Sequence, residues 1–363
     1  MSKPRAKAGI MDTPLYVGGR AKIEGVAKSF KLSSNENALG ASRQVLRAIK
    51  KMDKVAIYPN SDHAELRGAI AALHDLHPDR IICGAGSDEI FHLLAQAYIG
   101  EGDEIIHTEH GFLIYAIVAR AAGGTPISVA EKDLTANVDA VLEAVTPATK
   151  IVFLANPNNP TGTMLPQAEL MRLHDNLRDD ILLVLDCAYA EFIAPENYPH
   201  GFDLVARADN VVVTRTFSKA YGLAALRLGW AYCPVAVCDA LNHLRGPFNV
   251  NQIALDAGLV ALADQDHIKA SRAHNTQWRD WLVQQLNGLG FTIRPSQANF
   301  ILLEFASADE AQKADKFMCQ CGVIARQLAA YGLPHALRLS IGSEQANRAV
   351  LDVLANFMKE TRS

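Results

Sequence analysis

Three short runs of apolar residues constrain the fold of this chain more than any other feature. Residues 151–154, 181–185 and 211–213 contain only valine, isoleucine, leucine and phenylalanine. A strand without alternating polar residues is buried on both faces, as in parallel sheets that are covered by helices. Helical periodicity occupies the intervals between the runs, for example in residues 166–177. The chain is therefore predicted to be an α/β protein with a large, mostly parallel sheet, whose ligand site lies beyond the carboxyl ends of the strands.

The length and the charge of the chain limit what such a fold can do. With 363 residues, 49% of them hydrophobic, it can bury the cores of two or three domains. A net charge of -4 without a basic cluster argues against a nucleic-acid partner. Residues 1–11 lack the apolar core of a secretory signal, and no apolar run is long enough for a membrane span. We therefore expect a cytoplasmic protein, with reduced cysteines and no metal site.

A turn-forming segment predicts the main domain boundary. Residues 246–249 read Gly-Pro-Phe-Asn, which interrupts the pattern, and further strands and helices follow them. We expect three parts: an N-terminal arm over residues 1–34 that joins the small domain, a large domain over 35–249, and a smaller α/β domain over 250–363.

Polar residues follow the apolar runs at the points where the strands end. Asp186 comes directly after residues 181–185, and a buried carboxylate is unfavourable unless a cation lies nearby. A structural ion pair or a cap is the alternative role for this aspartate. Asn159 lies between Pro157 and Pro160 in a rigid turn that holds its amide in one direction. Because such ends meet at one edge of a parallel sheet, these side chains are predicted to share a crevice.

The third run ends in a segment that is suited to bind phosphate. Thr216, Ser218 and Lys219 follow the strand, and Arg227 comes soon after them. Hydroxyl and guanidinium donors can surround phosphate oxygens. A lysine among apolar and cationic neighbours loses part of its preference for the ammonium form, so its amine becomes available to attack a carbonyl. Taken alone, Ser218-Lys219 is far more typical of a surface lysine in a loop, because motifs this short match by chance.

A glycine turn before a predicted helix is a second candidate for phosphate binding. Residues 84–89 read Gly-Ala-Gly-Ser-Asp-Glu. Gly86 permits close approach of a ligand, and the N–H groups near Ser87 favour an anion at the start of a helix. A structural turn in which Asp88 caps the helix explains the spacing equally well. Phe112 follows another strand end, where it can stack on a planar ligand or pack in the core.

Together, these residues resemble a known enzyme family. Asn-Pro-Thr-Gly at 159–162, Asp-x-x-Tyr at 186–189 and Ser-Lys at 218–219 with a following arginine resemble the motifs of the fold-type I pyridoxal-phosphate aminotransferases. The resemblance covers nearly the whole chain. It implies an aminotransferase with pyridoxal 5′-phosphate as cofactor. It also implies a homodimer in which Tyr58 reaches the cofactor phosphate of the neighbouring subunit.

The resemblance implies a role for each matching residue. Lys219 resembles the lysine that forms a Schiff base with the cofactor and moves the substrate proton, and Asp186 resembles the partner of the ring nitrogen. Tyr189 and Asn159 match the residues that hydrogen-bond the ring hydroxyl, and Phe112 matches the aromatic residue that stacks on the ring. The other cofactor contacts implied by the family pattern are Gly86, Ser87, Asp88, Thr216, Ser218, Arg227 and Tyr58.

Within this family the chain most resembles the histidinol-phosphate aminotransferases. The matching segments include residues 34–37, 216–220 and 337–342. The resemblance implies transamination of L-histidinol phosphate with 2-oxoglutarate to give imidazole-acetol phosphate and glutamate, in histidine biosynthesis. The residues that match positions contacting the substrate's phosphate or carboxylate are Tyr16, Asn37, Arg326 and Arg338.

Other activities remain compatible with the same motifs. An aromatic amino-acid aminotransferase would use the two arginines for a carboxylate, and a threonine-phosphate decarboxylase would release carbon dioxide instead of exchanging nitrogen. A cofactor-binding regulator without catalytic activity is the alternative from another class of protein. It would need an additional DNA-binding domain before the first motif, which begins at about residue 34.

Overall fold

The computed structural model describes residues 3–6, 9–11, 13, 15–24, 29–53, 55–198 and 201–362. Among these residues, no helix is both long and apolar enough to cross a membrane. The strands are β1 (Phe30–Lys31), β2 (Ile81–Gly84), β3 (Glu104–Thr108), β4 (Thr125–Val129), β5 (Thr149–Ala155), β6 (Leu182–Asp186), β7 (Val211–Thr216), β8 (Gly229–Tyr232), β9 (Phe300–Glu304), β10 (Val323–Ile324), β11 (Arg326–Gln327) and β12 (Ala336–Ser340).

Helices connect most of these strands. The α-helices are α1 (Arg43–Lys50), α2 (Ala64–His74), α3 (Ser87–Tyr98), α4 (Ile114–Ala122), α5 (Val138–Glu143), α6 (Gln167–Asn176), α7 (Phe202–Arg207), α8 (Val235–Leu244), α9 (Gln252–Ala263), α10 (Gln265–Gly288), α11 (Ala308–Gln320) and α12 (Glu344–Arg362). Short 3-10 helices cover Pro78–Arg80, Ala190–Phe192, Pro195–Asn197, Ala224–Leu226 and Ala329–Tyr331.

The large sheet is mostly parallel. Within the described part of the chain, its seven strands lie in the order β2-β8-β7-β6-β5-β3-β4. Strand β8 runs antiparallel to both of its neighbours, and the other adjacent pairs are parallel. The carboxyl ends of β2, β3, β5, β6 and β7 therefore lie at the same edge. The predicted α/β fold with a large, mostly parallel sheet is confirmed.

Successive residues of the central strands build two cores on opposite faces of the large sheet. Leu183 and Leu185 pack in the core that includes α1, α2, α5, α6, α7 and α9. Leu182 and Val184 pack in the core that includes α3, α4 and α8. Helices thus cover both faces, which explains why these strands contain no alternating polar residues.

A second, smaller sheet lies near the C-terminus. Strand β12 pairs antiparallel with β11 and with β9, and their apolar residues pack against α11, α12 and the second half of α10. Ile268 of α10 belongs to the larger core, whereas Trp278 and Leu282 belong to the smaller one. The apolar residues of α9 also pack with the larger core. The boundary between the larger and the smaller core therefore lies inside α10. The domain limits after residues 34 and 249 stay a prediction.

The N-terminal arm packs against the smaller sheet. Strand β1 pairs in parallel with β10, and Leu32 is buried in the smaller core. Arg326 donates a hydrogen bond of 2.7 Å to the carbonyl of Val17, and the Ser33 hydroxyl donates one of 2.9 Å to the carbonyl of Arg20. These contacts bring residues 16–20 to the edge at which the large-sheet strands end.

Candidate active site

A cavity of about 310 Å³ lies at the carboxyl edge of the large sheet. Its walls come from the strand ends on one side and from the arm and the smaller sheet on the other. Gly86, Asn37 and Tyr58 do not line it. The predicted site residues that line it are Tyr16, Ser87, Asp88, Phe112, Asn159, Asp186, Tyr189, Thr216, Ser218, Lys219, Arg227, Arg326 and Arg338.

Asp186 is the last residue of β6 and is almost fully buried. Its Oδ2 accepts a hydrogen bond of 2.6 Å from the Tyr115 hydroxyl, and its Oδ1 accepts one of 3.2 Å from the backbone N–H of Ala188. Burial disfavours the charged form and raises the pKa of this carboxyl to about 6, although the hydrogen bond from Tyr115 opposes that shift. A cationic group placed beside Asp186 would restore its charged form.

Lys219 lies just beyond the end of β7, and its amine is in the interior. Nζ donates a hydrogen bond of 3.3 Å to the carbonyl of Ser34 and lies 5.8 Å from the centre of the Tyr189 ring. Burial, followed by the positive charge of Arg338, lowers the pKa of this amine to about 8. The neutral, nucleophilic form of Lys219 is therefore more accessible near neutral pH than in an exposed lysine.

Tyr189 and Asn159 lie on either side of the cavity floor. The Tyr189 hydroxyl accepts a hydrogen bond of 2.9 Å from the Asn35 side chain, and burial raises the pKa of this tyrosine above its usual value. Asn159 Oδ1 accepts a hydrogen bond from Arg338 Nη1, which leaves the amide group of Asn159 as a donor. Both residues can therefore donate hydrogen bonds to an oxygen that lies between them.

The phosphate-binding candidates from two strand ends meet. Arg227 Nη1 donates a hydrogen bond of 3.1 Å to Ser218 Oγ, and the backbone N–H of Ser218 donates one of 3.1 Å to Thr216 Oγ1. Ser87 begins α3, so unpaired N–H groups face the same region. Gly86 has a φ of +84°, and a Cβ at this position would collide with the Arg227 guanidinium. Only glycine permits this close approach.

Asp88 does not cap α3. The N-cap of α3 is Gly86, which makes no side-chain cap. Asp88 instead forms an ion pair with Arg227, with 3.4 Å between Oδ2 and Nη2. The alternative of a helix cap at Asp88 is therefore wrong, because the carboxylate is drawn to the guanidinium on the opposite side of the turn.

The other wall of the cavity contains two arginines. Arg338 on β12 is buried, and its Nη2 donates a hydrogen bond of 3.0 Å to the carbonyl of Ser33. Its Nε has no hydrogen-bond partner among the described residues. Arg326 on β11 is also buried and lies 6.0 Å from the ring centre of Tyr16. Arg326 is therefore not a surface residue, which agrees with its predicted place in the site.

Phe112 lies at the mouth of the cavity and contacts two other aromatic rings. Its ring meets Tyr16 edge-on at 6.2 Å and Tyr115 edge-on at 6.0 Å. Phe112 is only partly buried, so part of the ring remains available to a planar ligand. These contacts also connect the arm to the large sheet.

Besides Gly86, two predicted residues lie outside the cavity lining, Asn37 and Tyr58. The Asn37 side chain donates hydrogen bonds to the Ala220 carbonyl and, at 2.9 Å, to Ser271 Oγ. It therefore stabilises the segment next to Lys219 and is not among the residues that contact the cavity. Tyr58 is 77% exposed and stacks on Phe248 with 4.4 Å between ring centres. Within one chain it contributes nothing to the site.

The structure adds residues that the sequence reasoning missed. Asn35 lies in the quoted segment 34–37, but no role was predicted for its side chain, which contacts Tyr189. No motif of the sequence marks Tyr115, yet its hydroxyl donates a hydrogen bond to Asp186. A tyrosine in an otherwise apolar helix that follows a strand end was the available signal, because a buried phenol needs a hydrogen-bond partner.

The donor set fits pyridoxal 5′-phosphate. Hydroxyls, helix N–H groups and Arg227 surround one region next to Gly86, whose positive φ favours glycine, and this set of donors suits a phosphate. A buried carboxylate, Asp186, and a buried amine, Lys219, face the same cavity and lack a direct ion pair with each other. The unpaired Nε of Arg338 leaves room for a further anion.

Comparison with known proteins identifies the family. The family described as aminotransferase class I and II matches residues 27–354. The chain belongs to this family. The class I and II match confirms the predicted enzyme type, an aminotransferase.

Several relatives of this aminotransferase resemble it over their full length. The histidinol-phosphate aminotransferase of Ruegeria pomeroyi is 51% identical, with all of both chains covered. That of Paramagnetospirillum magneticum is 50% identical, with 99% of each chain covered. Among solved structures, histidinol-phosphate aminotransferase from Sinorhizobium meliloti in complex with pyridoxal-5′-phosphate has a TM-score of 0.91 at 24% identity, covering 99% of both chains. An aspartate aminotransferase mutant of Thermus thermophilus has a TM-score of 0.80 at 25% identity, covering 92% of both chains. Because the sequences of these two solved structures are only 24% and 25% identical to this chain, the similarity concerns the fold.

Proposed function

We propose that this aminotransferase uses pyridoxal 5′-phosphate to exchange the amino group between L-histidinol phosphate and 2-oxoglutarate, in histidine biosynthesis. The observation that carries the proposal is the convergence of Lys219, Asp186 and Arg227 with two buried arginines, Arg326 and Arg338, around one cavity. Relatives that carry the histidinol-phosphate aminotransferase name are about half identical over the full chain, which supports the substrate.

The large-sheet side of the cavity is proposed to hold the cofactor. When bound, pyridoxal phosphate supplies an aldehyde for amines and a ring that accepts electrons from the reacting carbon. Arg227 and the hydroxyls of Thr216 and Ser218 bind its phosphate. Asp186 holds a proton at the ring nitrogen, because the buried carboxylate is charged most favourably beside a cation. Tyr189 donates to the ring hydroxyl group.

Lys219 is proposed to move the proton during the reaction. Its Nζ would take the proton from the substrate carbon that carries the amino group and hold it for the later proton transfer of the exchange. This requires a neutral amine, and burial lowers the pKa of Lys219 to about 8. Phe112 and the arm reduce the access of water to this atom.

The two arginines are proposed to bind both substrates in turn. Histidinol phosphate carries a phosphate and 2-oxoglutarate carries a second carboxylate, and a guanidinium can bind either anion through two parallel hydrogen bonds. Arg338 Nε has no hydrogen-bond partner among the described residues. Tyr16 supplies a hydroxyl near Arg326.

We also infer that the active unit is a homodimer. Tyr58 does not reach the cavity of its own chain, yet it is 77% exposed next to Ile57, which is 67% exposed. An exposed apolar segment with an aromatic residue is typical of a protein interface. The cytoplasmic location stays a prediction, as does the expectation that the chain has no nucleic-acid or membrane partner.

Steady-state assays with three amino donors test the proposed reaction. Purified protein supplied with pyridoxal 5′-phosphate and 2-oxoglutarate is mixed with histidinol phosphate, phenylalanine or threonine phosphate, and glutamate and carbon dioxide are measured. We expect kcat/KM for histidinol phosphate to exceed that for phenylalanine by roughly ten-fold or more, because a phosphate carries more negative charge and more acceptor oxygens for the two arginines than a single carboxylate. Absence of glutamate formation from histidinol phosphate contradicts the proposal, and carbon dioxide release from threonine phosphate supports the decarboxylase.

A further inference from the structure

Tyr115 is the one direct side-chain contact of Asp186 among the described residues, and it is rigidly held. The residue is 1% exposed on α4. Its ring stacks on Phe153 of β5 at 4.7 Å, with 4° between the ring planes, and meets Phe91 of α3 edge-on at 5.5 Å. A phenol side chain packed in this way cannot change its orientation without disturbing the core.

The two oxygens of Asp186 have separate donors. The Tyr115 hydroxyl contacts Oδ2 at 2.6 Å, and the Ala188 backbone N–H contacts Oδ1 at 3.2 Å. The first of these is a hydrogen bond to a charged acceptor in a dry environment, which is the stronger kind. The other ionisable groups that face Asp186 are Asp88 of α3, Lys219 after β7, and Cys187 and Tyr189 after β6.

From this geometry we infer that Tyr115 is a positioning residue that keeps the shared proton on the cofactor's ring nitrogen. A carboxylate that accepts a strong hydrogen bond is a weaker base. With Tyr115 present, Asp186 therefore attracts the ring proton less and leaves it on the nitrogen, where it favours electron withdrawal from the reacting carbon. The inference rests on the proposed function, since it requires pyridoxal phosphate beside Asp186.

The test follows the ring nitrogen itself in the loaded enzyme. Wild type, Tyr115→Phe and Tyr232→Phe are loaded with pyridoxal 5′-phosphate labelled with 15N in the ring, and the 15N chemical shift is recorded across a pH series. Tyr232→Phe is the matched control, because Tyr232 is a buried tyrosine of β8 that does not line the cavity. Phenylalanine at position 115 keeps the stack on Phe153.

We expect the ring 15N shift of Tyr115→Phe to move toward the unprotonated value across the pH series, because the shared proton passes from the nitrogen to Asp186 without leaving the pair, and we expect Tyr232→Phe to follow wild type. An unchanged 15N titration in Tyr115→Phe would overturn the inference while leaving the proposed function intact. Failure of wild type to bind the labelled cofactor would overturn both.

A second measurement covers the case in which Tyr115→Phe does not fold. Incorporation of 3-fluorotyrosine in place of Tyr115 retains the shape of the side chain and makes the hydroxyl a stronger donor. The 15N shift is then expected to lie further toward the protonated value than in wild type. A 15N shift that is unchanged, or that moves toward the unprotonated value, contradicts the assignment of Tyr115.

Discussion

The cavity has two sides that are built in different ways. The strand-end side, which contains Asn159, Asp186 and Lys219, comes from consecutive strands of one sheet. The arm-side wall, which contains Tyr16, Arg326 and Arg338, joins parts of the chain that are far apart in sequence. Asp186 is 6% exposed, whereas Tyr16 is 50% exposed. The chemistry thus depends on a rigid scaffold, and recognition depends on segments that pack on it from outside.

The difference matters because the two sides can be altered separately. A change on the strand-end side is expected to affect the reaction of every substrate, since all of them use the same amine and carboxylate. A change on the arm-side wall is expected to affect the affinity for anions and to leave the reacting groups in place. Arg338 is the exception, since it donates a hydrogen bond to Asn159 and so joins the two sides.

The largest effect is expected from Lys219→Ala on the strand-end side. Loss of the amine removes the group that moves the proton, so kcat should fall by at least about 1,000-fold. Steady-state kinetics with histidinol phosphate and 2-oxoglutarate measure it. The matched control is Lys269→Ala, whose side chain is 72% exposed, and it should retain wild-type kcat. Retention of full turnover by Lys219→Ala would exclude the proposed role of this amine.

The second prediction concerns stability on the same side. The folded pKa of Lys219 is about 8 against 10.5 for an unperturbed lysine, so the unfolded state binds more protons between these values. The contribution of Lys219 is therefore unfavourable below pH 8, and the stability of the wild type rises as the pH increases through this window. In cofactor-free protein at pH 7, Lys219→Met should raise the free energy of unfolding by about 3 kcal/mol.

Urea denaturation of the cofactor-free proteins checks this stability. The stability advantage of Lys219→Met should shrink as the pH rises from about 8 toward 10.5. Over this range the folded wild type has already lost the lysine proton, and the unfolded wild type loses it as the pH approaches 10.5. A variant that is less stable than wild type at pH 7 would show that the amine contributes more through its contacts than it loses through burial. Lys269→Met is the exposed control.

The third prediction tests the arm-side wall through Arg338→Lys. A lysine retains the charge but cannot keep the hydrogen bonds to Asn159 and Ser33 while it also binds an anion. We expect KM for histidinol phosphate and for 2-oxoglutarate to rise by roughly ten-fold or more, with a smaller change in kcat. A fall in kcat at unchanged KM would show that Arg338 acts in the reaction itself, as the residues of the strand-end side do, and not in substrate binding.

The smallest effect is expected from Tyr16→Phe. Phenylalanine keeps the ring contacts with Phe112 and Arg326 and removes only a half-exposed hydroxyl. One hydrogen bond at such a position is worth about 1 kcal/mol, so KM for histidinol phosphate should rise by roughly five-fold at unchanged kcat. Rates measured over a range of substrate concentrations separate the two constants. A loss of kcat comparable to that of Lys219→Ala would erase the distinction between the two sides.

The strand-end side was predictable because its signals are local. An apolar run marks a buried strand, and the polar residue that follows it marks the end. Asp186, Thr216 and Lys219 all lie at positions predicted in this way, and the resemblance to a family supplied the arm-side residues Tyr16 and Arg338.

Long-range contacts left no comparable signal. Strand β1 has two residues and pairs with β10 near the other end of the chain, so no local pattern predicts it. Tyr115 looks like a core residue of a helix, and its role appears only when α4 packs against β6. The Asn37 side chain contacts α10 and the segment after Lys219, a pairing that depends on how distant elements pack.

Asn35 has a consequence for how this chain can change over evolutionary time. Its side chain contacts Tyr189 and Ser340, and its backbone carbonyl accepts a hydrogen bond from Asn299. A single replacement at Asn35 would disturb a residue that follows β6 of the large sheet and a residue of β12 in the smaller sheet at the same time. Tyr189, Ser340 and Asn299 therefore constrain one another through a fourth residue that none of them adjoins in sequence. Among descendants of such a chain, these four positions are expected to be inherited as a set or replaced as a set.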